Sequence, residues 1–129
     1  MSIKIIYKVF IDAIRAVHPR KLLPQYIRVT GNLISIADKS IERNSFEKLI
    51  LISCGKASSA MAAEAEIILG DLITDSICIT KHGHSLPLKH IETIEAGHPY
   101  PDENSIRAGQ LVKEKLCFLS EKDIVILLL

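Results

Sequence analysis

The 129-residue chain predicts an α/β fold in three layers, a mainly parallel sheet with helices on both faces. Three observations carry that expectation. From Lys48 onward, strand-length aliphatic runs and helix-periodic segments follow in the order strand, helix, strand, strand, helix, strand. Two of the runs, "KLILIS" (48–53) and "DIVILLL" (123–129), are almost continuously apolar, as strands covered on both faces must be. The polar stretches after the strands each hold a glycine together with a lysine or histidine, at the sheet edge where such folds collect ligands.

The elements follow in order. Ile6, Val9, Phe10, Ala13, Ile14 and Val17 recur at helical spacing, with Ser2 as a cap and His18-Pro19 as the stop. Lys21 to Gln25 predict a short helical turn broken near Pro24. "YIRVTGNLISIADKSI" predicts a small β-hairpin region, punctuated by Thr30-Gly31-Asn32 and Asp38-Lys39. After the strand at 48–53, a helix would bury Ala57, Ala60, Met61, Ala65, Ile68 and Leu69, with Glu64 out of character on that face and Gly70 at its end. "DSICITK" is a β-branched second strand, and the more polar "IETIEAG" reads as a third, nearer an edge. Asp102 would cap a helix whose inner face carries Ala108, Leu111, Val112, Leu116 and Leu119, ahead of the final strand. That strand ends without a polar loop, which predicts that residues 1–129 are a fragment of a longer protein.

Composition narrows the function. A chain 48% hydrophobic can bury one domain's core, and a formal net charge of +1 with interleaved signs supplies no basic stripe for nucleic acid. Lys4, Lys8, Asp12 and Arg15 interrupt the apolar N-terminus, so neither a signal peptide nor a membrane span is expected, and the chain reads as cytoplasmic. Cys54, Cys78 and Cys117, odd in number and set among apolar neighbours, read as reduced core residues.

The chemistry falls on "SCGKAS" (53–58), "TKHGHS" (80–85) and "EAGHPYPDE" (95–103). Gly55 allows close backbone approach, and Lys56 places a cation at a helix N-terminus, where amides and macrodipole favour phosphate or carboxylate. A lysine there is mildly unfavourable without an anion, so an anion-binding role stands beside that of a solvated turn residue. Ile50 occupies the position where a Walker A loop needs glycine, and no dinucleotide fingerprint occurs. His82, His84 and His98 permit a metal site but lack acidic or cysteine ligands at suitable spacing; hydrogen bonding or substrate contact suits His84 and His98 better. Glu95 and Asp102 read either as acid/base carboxylates or as a strand-end carboxylate and a helix cap.

Taken together, "GKASSAMA", "ITKHGHS", "EAGHPYPDE" and "DIVILLL" resemble the N-terminal domain of the glycerate 2-kinase family, whose members also carry a hydroxypyruvate reductase label. The resemblance implies a Rossmann-like domain with a smaller second domain, and phosphoryl transfer from ATP, with Mg²⁺, to D-glycerate. It implies that Lys56 is the active-site lysine and that Gly55, Ser58, His84, Gly97 and His98 bind substrate or phosphate, with no metal ligand among them. Family chains continue into a Ser-Gly-Gly-Gly-Ser loop and later site residues, so this portion is expected to be inactive alone. His82 stands where an aromatic residue is usual, and Cys54 where a small one is. The alternatives are an NAD(P)-dependent hydroxypyruvate reductase, disfavoured without the fingerprint, and a non-catalytic module that forms homo-oligomers through exposed sheet edges.

Overall fold

The structure, a computed structural model, describes residues 2–129. Helix α1 (Ile3–Ala16) leads into α2 (Pro19–Tyr26), then a meander of β1 (Ile27–Thr30), β2 (Leu33–Ile36) and β3 (Lys39–Glu42). The main sheet comprises β4 (Leu49–Cys54), β5 (Asp75–Lys81), β6 (Thr93–Ala96) and β7 (Ile124–Leu128). Helix α3 (Ser58–Leu69) connects β4 to β5, and α4 (Glu103–Leu116) connects β6 to β7. The strand order is β6-β5-β4-β7 with every pair parallel.

The alternation of side chains along β4 explains the layering. Leu49 and Leu51 enter a core with Leu23, Ile27, Ile34, Ala62, Ala65 and Leu69, which joins the sheet to α3, α2 and the meander. Ile50 and Ile52 point the other way, to Ile77, Ile94 and Ala108 beneath α4. Five consecutive buried residues in β4 require an apolar run, and Ser53 is tolerated because its hydroxyl donates to the Ser58 carbonyl at 2.8 Å. The parallel sheet, the helix on either face and the edge position of β6 agree with the sequence expectation.

Several elements differ from it. The hairpin region is a three-stranded antiparallel sheet, because Ala37, at φ 53°, makes a second tight turn into the polar strand β3. Helix α2 runs through Pro24: the lost bond would have gone to the carbonyl of Arg20, an exposed first-turn residue that water can satisfy. The buried face of α3 is Ser58, Ser59, Ala62, Ala65 and Leu69, rotated from the expected stripe. That rotation is possible because both serine hydroxyls have internal partners, Ser58 on the Ile79 carbonyl at 2.8 Å and Ser59 on the Leu86 amide at 3.1 Å.

Helix α1 has the expected apolar spacing, yet none of its residues is buried, and Ile6, Val9, Phe10 and Ile14 face outward. Its Ser2 carbonyl accepts the amides of Ile5 and Ile6, but the hydroxyl makes no capping bond. On α4, Leu116 is exposed, because the helix packs over β5 and β6 and leaves Val125 and Leu127 of β7 uncovered. Of the three free cysteines only Cys78 is buried; Cys117 is exposed at the end of α4, outside the core expected for it. No helix among the described residues is long and apolar enough to cross a membrane.

Candidate active site

The carboxyl ends of β4, β5 and β6 open into one slot of about 310 Å³, closed on one side by the first turns of α4. Strand register decides its wall. Cys54 follows Ile50 and Ile52 on the α4 side of β4, Lys81 follows Ile77 and Ile79 on β5, and Ala96 follows Ile94 on β6. The turn after β4 adds Gly55 and Lys56, the turn after β6 adds Gly97 and His98, and α4 adds Ser105, Ala108 and Gly109.

The glycines are there for different reasons. Gly55 has φ 122°, a backbone region that strains any residue with a Cβ; its amide donates to Ile79 at 3.1 Å, so the turn is pinned to β5. Gly97 is a matter of space. A Cβ there would collide with the Tyr100 carbonyl oxygen and lie 3.1 Å from Cγ of Asp102. The tight path of "GHPYPD" over the end of β6 therefore depends on that missing methyl group.

Lys56 is exposed and Lys81 half-buried, and neither is in an ion pair among the described residues. Helix α3 starts beside Lys56 with Ala57 at the cap position, which offers no side-chain acceptor for the first-turn amides. By contrast α4 is closed by a capping box: Asp102 accepts the Ser105 amide at 2.9 Å while the Ser105 hydroxyl takes the Asp102 amide at 3.1 Å. The slot thus presents two lysines, a histidine and aliphatic walls, with no carboxylate among its described lining residues.

The carboxylates are engaged next to it. Asp102 Oδ2 lies 2.7 Å from Nε2 of His82, whose Nδ1 is 3.9 Å from Oε2 of Glu95. The hydrogen bond with His82, together with backbone amides, holds the Asp102 carboxyl well below the usual carboxylate range. Glu95 accepts both the hydroxyl of Ser85, at 2.6 Å, and its amide, at 3.1 Å; the Ser85 hydroxyl, then the backbone amides of Gly83 and Ser85, lower its pKa from 4.5 to about 2. His82 therefore joins the loop after β5 to the end of β6 and to the cap of α4. The cap reading of Asp102 holds, and Glu95 is a strand-end carboxylate bound to its neighbouring loop.

Of the residues singled out in the sequence, Lys56, Gly55, Gly97 and His98 come together in this slot. Ser58 does not reach it, since its side chain is fully buried on the α3 face and bonded to Ile79. His84 is exposed in the turn after Gly83, outside the slot lining. Sequence reading passed over Lys81, although its spacing of two from Ile79 places it on the α4 face; Gly109 gives no such signal in a helical pattern.

A larger cleft of about 400 Å³ lies at the opposite end of the sheet, lined by Glu66, Asp75, His90 and Lys115 among others. Its lysine and two of its carboxylates are already occupied: Lys115 pairs with Asp75 at 2.6 Å, and Glu66 accepts the amides of Lys89 and His90 at 2.9 and 2.6 Å. The slot with free cations is the better ligand site.

Comparison with known proteins bears on the family and the fold. A family model described as a domain of unknown function (DUF4147) matches residues 5–129. A glycerate 2-kinase from Pyrococcus horikoshii is 37% identical over 121 residues, covering 92% of this chain and 26% of that protein. A D-glycerate 2-kinase from Thermotoga maritima is 39% identical over 92 residues, covering 70% of this chain and 22% of that protein. The crystal structure of a glycerate kinase from Thermotoga maritima superposes with a TM-score of 0.75 at 33% identity, over 98% of this chain and 27% of that one. The chain spans about a quarter of the length of these relatives. It therefore belongs to the DUF4147 family and is homologous to the N-terminal part of glycerate 2-kinases.

Proposed function

We propose that this chain carries the anion-holding portion of a glycerate 2-kinase site, with Lys56 as the active-site lysine. The observation that supports it most is the placement of Lys56: an unpaired cation at the carboxyl end of the central strand, beside a slot with a second lysine and no carboxylate. Phosphoryl transfer depends on positioning and charge neutralisation more than on covalent chemistry. Lys56 would neutralise the carboxylate of D-glycerate or the phosphoryl group it receives, while Gly55 and Gly97 let the backbone approach. His98 at the rim would donate a hydrogen bond to the same ligand.

ATP supplies the phosphoryl group in this reading. Mg²⁺ does not fit the residues at hand: no carboxylate is among the described lining residues of the slot, and no group of three or more His, Cys, Asp or Glu among the described residues is placed to hold a metal. The contribution of this chain is thus to bind and orient the acid, and the 129 residues alone are expected to show no ATP- and glycerate-dependent turnover in a coupled kinase assay. Backbone-amide shift mapping tests the binding reading. Titration with 2-phosphoglycerate should move the amides of Gly55, Lys56, Gly97 and His98; movement confined to other regions, or none, would contradict it.

A further inference from the structure

The slot has two features that Lys56 does not account for. Lys81 is the second unpaired cation on its wall, at the end of β5 and beside β4, whose following turn carries Lys56. Gly109 sits in the middle of α4, where glycine is the poorest helix former after proline, yet nothing lies within 4 Å of the Cβ that would be built on it. No neighbour demands the missing methyl group there, unlike at Gly97, and Gly109 is among the residues that line the slot. The helix thus keeps an unfavourable residue at the point where it faces the open space.

We propose that the Ser105, Ala108 and Gly109 face of α4 is the ligand-contacting wall of the slot, with Gly109 setting the space available. Lys81 joins Lys56 in holding a compact organic acid or its phosphate ester. This rests on the anion-site reading of Lys56 and extends it to a second cation and a steric determinant. The volume, about 310 Å³, is at the small end of ligand pockets. The aliphatic walls of Ile79, Ala96 and Ala108 suit a short carbon backbone whose anionic groups point to the lysines at the rim.

The test uses the whole chain and three variants, G109A, G109V and K81A, with calorimetric titration of 2-phosphoglycerate and a thermal melt of each. G109A should melt at or above the wild-type temperature, and all three variants should remain folded. G109V should weaken 2-phosphoglycerate at least about tenfold by filling the slot, and K81A should weaken it by a similar factor through loss of a charge-assisted contact. Wild-type affinity in both G109V and K81A would overturn this inference while leaving the Lys56 reading in place. Failure of the wild-type chain to bind 2-phosphoglycerate would overturn both. ADP that binds the wild type and is excluded by G109V, with 2-phosphoglycerate unaffected, would overturn the assignment to a compact acid.

Discussion

Individual residues at the site separate into those proposed to hold a ligand and those that hold the backbone. Lys56 has no partner among the described residues, so its replacement removes a charge without stranding another. Gly97 is the opposite case. Gly97→Ala would press a methyl group against the Tyr100 carbonyl oxygen, a backbone atom that cannot rotate away. Overpacking of that kind costs about 1–3 kcal/mol, and chemical denaturation of the variant should show a loss in that range. A variant as stable as wild type would mean that the turn over β6 can move aside.

At the scale of elements, the loops after β5 and β6 act as one unit because Glu95 and Asp102 bind side chains across them. Glu95 carries a folded-state pKa lowered from 4.5 to about 2, so its contribution to stability is present above pH 4.5 and is lost as the pH falls toward 2. Glu95→Gln should therefore melt below wild type at neutral pH, and the two melting temperatures should converge between pH 4.5 and 2. A difference that does not vary with pH would place the effect in packing instead of ionisation. Elements of this kind also show what sequence can disclose. Strands β4, β5 and β7 are legible because burial on both faces demands long aliphatic runs. Strand β3, "KSIE", is not, since its place in the meander comes from the turn at Ala37 and not from its own pattern. The buried stripe of α3 was misplaced because Ser58 and Ser59 look like surface residues until their partners on β5 and the following loop are known. For the same reason Ser58 read as a ligand contact, and the clamp around His82 was invisible: both rest on pairings more than a dozen residues apart.

Among the described residues a parallel sheet separates two cores, an antiparallel meander joins one of them, and the proposed site lies at one edge of the parallel sheet. The α3-side core also binds the meander and α2, while α1 lies outside both cores. Stability should follow that division. Leu51→Ala, at a fully buried position in the central strand, should cost about 2–5 kcal/mol. Phe10→Ala, on the exposed face of α1, should change stability by no more than about 0.5 kcal/mol. Denaturant titration of the two variants checks both, and a Phe10 effect comparable to that of Leu51 would show α1 to be part of the cooperative unit. The same division places Lys56 where a charge change leaves the cores untouched, which makes the central claim directly measurable. Calorimetric titration of 2-phosphoglycerate into wild type and Lys56→Ala, with melting curves as the folding control, should show binding weakened at least about tenfold in a variant that melts like wild type. Equal affinities in the two folded proteins would contradict the assignment of Lys56 as the anion-binding lysine.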